Sequence, residues 1–108
     1  MRPSNNPPGT PLRVEISAEL RPLIPRYLEN RRTDLSRLRK AVGEGDFATI
    51  RSIGHSIKGT GGGFGFPVIT TIGAELETSG GDQDRDAARD SVERLAEFLD
   101  RADVVYVE

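Results

Sequence analysis

Apolar residues recur along this chain at helical spacing in four blocks, each closed by glycine or opened by a capping residue or a proline. The first block holds Leu20, Leu23, Ile24, Tyr27, Leu28, Leu35, Leu38 and Val42 and predicts a helix from Ala18 to Val42, with Ser17 as N-cap. Pro22 and Pro25 fall near its start, so the regular helix begins as late as one of those prolines. Gly43 and Gly45 end it. Asp46 caps a second block with Phe47, Ile50, Gly54, Ile57 and Gly61 on one stripe and Ile53 beside it. Pro67 opens a third, with Val68, Ile69, Ile72 and Leu76 inward, closed by Ser79-Gly80-Gly81. Asp82 or Asp84 caps a fourth, carrying Ala88, Val92, Leu95, Leu99 and Ala102, with Phe98 adjacent.

Four amphipathic helices joined by short connections predict an all-α fold, an antiparallel four-helix bundle over residues 17–108. Residues 1–16 read as a flexible N-terminal tail, rich in proline up to Pro11. Within it, residues 12–16 alternate apolar and charged side chains as a strand would, and Val104-Val105-Tyr106-Val107 is also β-prone. These two ends are candidates to pair as a small ribbon.

Length and charge narrow the field. A chain of 108 residues supports one modest core. The formal net charge of −2 supplies no global basic field for nucleic acid. Seven cations nevertheless crowd residues 21–40, read as a solvated helix face, while the region after Glu75 is mostly acidic. No cysteine is present, which removes disulfides and thiolate metal sites. No apolar run approaches the roughly 20 residues that span a bilayer. The N-terminus has no apolar signal core, so a cytoplasmic location is expected.

The single histidine, His55, is turned about 140° from Ile50 and away from the apolar stripe. It shares the outward face with Arg51, Ser52, Lys58, Gly59 and Gly62. Lone histidines and lysines on polar helix faces are ordinarily solvated surface residues. Glycines, however, each cost a helix interior up to about 1 kcal/mol relative to alanine. Gly54 and Gly61 lie on the core stripe, where they permit close helix packing. Gly59 and Gly62 point outward, where clearance for a docking partner accounts for them better. Neutral imidazole is a competent nucleophile near pH 7. A phosphoryl group would bring roughly two negative charges, which Lys58 could offset, with Arg51 a candidate second cation. Phe64 and Phe66 read as core plugs.

Other chemistries fail on spacing. A phosphate-cradling loop needs its lysine after the glycines and a strand before them, whereas Lys58 precedes them in a helix. The dinucleotide fingerprint meets Phe64 or Phe66 at its last glycine position. One histidine without cysteine makes a poor metal site.

His55-Ser56-Ile57-Lys58-Gly59, the glycine run, Phe64-Gly65-Phe66 and the acidic helix end Glu75-Leu76-Glu77 together resemble histidine-containing phosphotransfer domains. The resemblance spans about residues 17–102. It implies that His55 is the phosphoacceptor, receiving a phosphoryl group from the aspartate of a response-regulator receiver domain and returning or relaying it. Lys58 would stabilise the phosphoryl charge and Gly59 would leave the face open. Arg51, Ser52, Gly59 and Gly62 would meet the docking partner, a receiver domain or hybrid histidine kinase. The domain would be a phosphocarrier rather than an autonomous kinase, a monomer without a cofactor of its own, with Mg²⁺ coming from the receiver. The run from Gly59 to Gly65 is more glycine-rich than the pattern requires and leaves the end of the second helix open. A sensor-kinase phosphoacceptor helix is a weaker match, because its histidine is typically followed by an acidic residue and Ser56 stands here. A helical adaptor that docks on a receiver or another signalling protein without carrying phosphate is the alternative from a different class.

Overall fold

A computed structural model describes residues 10–108; the tail reading of residues 1–9 falls outside them. The elements are β1 (Leu12–Ser17), α1 (Ile24–Glu44), α2 (Phe47–Gly61), α3 (Pro67–Gly81), α4 (Arg85–Arg101) and β2 (Ala102–Val107). Each helix packs on its neighbours in the chain and α4 returns against α1, giving the expected four-helix bundle. The ends pair as anticipated. β1 and β2 form a two-stranded sheet in parallel register, Leu12 opposite Ala102 and Val14 opposite Val104. Parallel strands need a long crossover, and here the whole bundle is the crossover. Ile16 of β1 is buried in the same core as the helices.

The first helix starts later than Ala18. Pro22 and Pro25 have no N–H to donate, so a regular ladder cannot run through them. Residues Ala18–Leu20 instead form a 3₁₀ turn, with Ser17 Oγ accepting from the Glu19 N–H, and Pro25 sits in the first turn of α1. Leu23, read as part of the first helix's apolar row, precedes α1 as its N-cap and is exposed. Gly45 closes α1 with φ +69°, the left-handed conformation that favours glycine. Asp46 caps α2 through the Thr49 N–H, and Asp84 rather than Asp82 caps α4 through the Ala87 N–H.

The glycine-rich stretch resolves into the end of α2, a 3₁₀ turn at Gly62–Phe64 and a left-handed turn at Gly65 with φ +88°. This swings Phe66 into the core, where Tyr27 stacks on both Phe64 and Phe66 at centroid distances of 4.4 and 5.5 Å. Val68, also expected inward, is exposed beside a groove between β1 and α4. Arg31 departs from the solvated reading of α1. It is buried, donates to Asp34 Oδ2 at 2.9 Å and Thr60 Oγ1 at 3.2 Å, and lies over the Tyr27 ring. It thus ties α1 to the last turn of α2.

The seam that positions the functional face lies between α2 and α3. A Cβ at Gly54 would stand 2.6 Å from the Glu77 backbone nitrogen and 2.8 Å from the Gly73 carbonyl oxygen. One at Gly73 would stand 2.5 Å from the Lys58 nitrogen, and one at Gly80 would stand 2.6 Å from the Arg51 nitrogen. Gly61 meets Thr70 and Phe66 in the same way. Glycines seven residues apart on each helix, Gly54 with Gly61 and Gly73 with Gly80, bring the two backbones into contact.

Candidate functional site

His55 projects from the middle of α2 with its side chain 72% exposed. The preceding residue, Gly54, places no side chain between α2 and α3 at this level. Glu77 is level with Gly54 across the seam. Backbone contact at that level lets the Glu77 carboxylate reach over the seam and straddle two α2 residues one turn apart. One oxygen, Oε2, lies 2.9 Å from His55 Nδ1; the other, Oε1, lies 2.6 Å from Lys58 Nζ.

This bridge fixes which atoms donate and which accept. The hydrogen bond from Lys58, and after it the one from His55, holds the Glu77 carboxyl below its ordinary range. Glu77 is therefore ionised at neutral pH and can only accept. Nδ1 must then be the nitrogen that donates, which in the neutral ring leaves the lone pair on Nε2. No hydrogen bond or ion pair from the described residues engages Nε2. The arrangement leaves Nε2 without a partner among the described residues on an exposed side chain, with a cation one turn further along the helix.

The remaining expected residues fall on the same exposed face without joining the bridge. Arg51, Ser52, Gly59 and Gly62 are all exposed. Arg51 runs along Gly81 at the end of α3 and forms no ion pair among the described residues. A Cβ at Gly59 would meet nothing within 4 Å, and one at Gly62 would meet only Thr70 Oγ1 at 3.7 Å. Interior packing thus asks for glycine at Gly54 and Gly61 but at neither outward position. Among the described residues no three His, Cys, Asp or Glu side chains gather as a metal cluster.

Glu77 has no assigned role in the sequence reading, where it appears only as part of an acidic helix end. A usable signal was present: it lies between Gly73 and Gly80, whose spacing of seven mirrors Gly54 and Gly61 and marks the facing seam.

The family model for the Hpt domain matches residues 23–104. The chain belongs to the Hpt domain family. Membership places this domain in histidine phosphotransfer within two-component phosphorelays, where Hpt domains interact with receiver domains and histidine kinases. The match runs from the turn before α1 into β2, so it covers all four helices. No curated protein and no solved structure matched the chain. No helix among the described residues is long and apolar enough to cross a membrane.

Proposed function

We propose that His55 is the phosphoacceptor of this Hpt domain and that Nε2 is the reacting atom. In the forward step the Nε2 lone pair attacks the phosphorus of an aspartyl phosphate on a receiver domain. The Nε2–P bond forms, the P–O bond to the aspartate breaks, and the aspartate leaves as a carboxylate. The Nδ1 proton stays on the ring, held by Glu77, and the reverse sequence returns the group. Phosphoryl transfer asks a protein mainly for positioning and charge stabilisation, which an oriented imidazole and a nearby ammonium supply. Lys58 swings or shares its ammonium towards the phosphoryl oxygens, and Mg²⁺ comes from the receiver. Arg51, Ser52, Gly59 and Gly62 form the floor on which the receiver docks, in the cytoplasm. Every side chain that this domain brings to the transfer, His55, Lys58 and Glu77, belongs to a single copy of the chain.

The observation that carries this reading is the hydrogen bond between His55 Nδ1 and Glu77, which aims an unpartnered Nε2 outward. The test is incubation with phosphorylated receiver domains and Mg²⁺. Wild type should acquire acid-labile label, as a phosphoramidate does and a serine ester does not. His55→Gln should acquire none. Label that persists in the variant assigns the acceptor elsewhere, and a wild type that binds receivers but never labels favours the adaptor.

A further inference from the structure

Among the described residues the sheet has two strands, and none of those residues pairs as a strand with the edge of β1 facing away from β2. No backbone hydrogen bond from another described segment reaches it. Beside that edge runs a groove of about 560 Å³, with Leu12, Val14, Phe66, Val68, Ile72 and Phe98 as its apolar lining. Val68 is 47% exposed, unusual for an apolar residue in this fold. Four charged residues line the groove and each is already paired within the chain, Arg13 with Glu15, Arg94 with Glu75 and Glu97 with Arg101. The groove therefore asks for apolar contact, and the free edge asks for an extended backbone.

We propose that the occupant is β1 of a second copy of this chain, paired antiparallel about a two-fold axis at Val14. The charge pattern of the strand argues for this partner. Arg13 and Glu15, both more than half exposed, flank Val14 symmetrically and pair with each other within the strand at 3.1 Å, a pair that the second copy can exchange for two across the interface. In an antiparallel pair centred on Val14, each Arg13 stands opposite the other copy's Glu15, so both outward pairs are of opposite charge. On the inner face Val14 stands opposite Val14 and each Leu12 opposite an Ile16 that is already buried in its own core, so the apolar sides of both strands face the same way. The interface is isologous, as a two-fold dimer requires, and converts two two-stranded ribbons into one four-stranded sheet. It departs from the monomer that the family resemblance implies. None of the groove's lining residues lies on α2, so both copies of His55 stay open to a receiver.

Light scattering over a concentration series, with two charge variants, tests the proposal. Wild type should move from the chain mass of 11.8 kDa towards twice that value as concentration rises. Arg13→Glu and Glu15→Arg each place like charges opposite one another and should weaken self-association by about tenfold or more. An equimolar mixture of the two variants restores opposite charges and should dimerise as wild type does. The double swap, Arg13→Glu with Glu15→Arg, should dimerise alone and decides the matter if a single variant folds poorly. A wild type that remains at 11.8 kDa up to its solubility limit overturns the proposal. So does a dimer that both single variants leave intact, or a mixture and a double swap that both stay monomeric.

Discussion

Replacing Gly54 by alanine adds one methyl group where the α2 and α3 backbones touch. That carbon would stand 2.6 Å from the Glu77 nitrogen and 2.8 Å from both the Gly73 oxygen and Leu76 Cβ. Two of these neighbours are backbone atoms and cannot rotate aside, so the helices must part by about 1 Å to reach ordinary contact. Overpacking of this kind costs up to about 3 kcal/mol. Alanine's better helix propensity offsets about 1 kcal/mol of it, leaving a loss of about 2 kcal/mol. The same substitution at Gly59 meets nothing within 4 Å and should keep the propensity gain of up to about 1 kcal/mol. For a domain of this size that predicts a Tm about 10 °C lower for Gly54→Ala and about 5 °C higher for Gly59→Ala. Thermal unfolding followed by circular dichroism, with urea midpoints as a second probe, reads both. A Gly54→Ala protein as stable as wild type would refute the backbone-contact account of the seam. Gly54→Ala should also slow phosphotransfer, because parting the helices withdraws Glu77 from His55.

Three further outcomes follow from the site. Lys58→Ala should keep the fold and slow phosphotransfer by about two- to fivefold, the modest factor suited to a half-exposed ammonium; rapid-quench kinetics with a phosphorylated receiver that show no change would remove Lys58 from the mechanism. Gly59→Leu should weaken receiver binding in titration calorimetry while leaving the circular dichroism spectrum unchanged, and normal binding would undo the clearance argument. The third concerns pH. Glu77 has its folded pKa held below the ordinary 4.5, by Lys58 first and His55 second. The native state therefore binds fewer protons there than the unfolded chain, and the stability this adds is complete above 4.5 and lost as pH falls through the lowered value. The urea midpoint of wild type should exceed that of Glu77→Gln near neutrality, with the gap closing below about pH 4.5; a gap that widens on acidification would reverse the sign assigned to Glu77.

Much of the architecture was readable because it is carried by local signals. Asp46, Asp84, Pro67, Gly45 and the 3.6-residue apolar rows mark the helices by chemistry that acts within a turn. The outward placement of His55 followed from its angle to Ile50, and Lys58, Gly59 and Gly62 followed from sharing its face. Features that depend on what lies across the fold were less accessible. Leu23 and Val68 satisfy the apolar rhythm, yet each stands at a helix start where the neighbouring helix no longer covers it. Arg31 looks like one more cation on a basic helix; only the approach of Thr60 and Tyr27 makes it an interior tie. Glu77 is the clearest case. Its role arises from a carboxylate on one helix meeting two residues on another, and that registration is set by four glycines whose pairing is tertiary. The two ends of the chain share strand-like composition, but their parallel register comes from the bundle between them.

The central claim is that His55 Nε2 receives the phosphoryl group while Nδ1 keeps its proton on Glu77. The chain has one histidine, so ¹⁵N-histidine labelling yields a single imidazole to follow. Phosphorylated protein examined by ³¹P–¹⁵N correlation should show phosphorus bonded to Nε2 and the Nδ1 proton retained. Phosphorus coupled to Nδ1, or a phosphorylated protein whose imidazole nitrogens are both unchanged, would contradict the account.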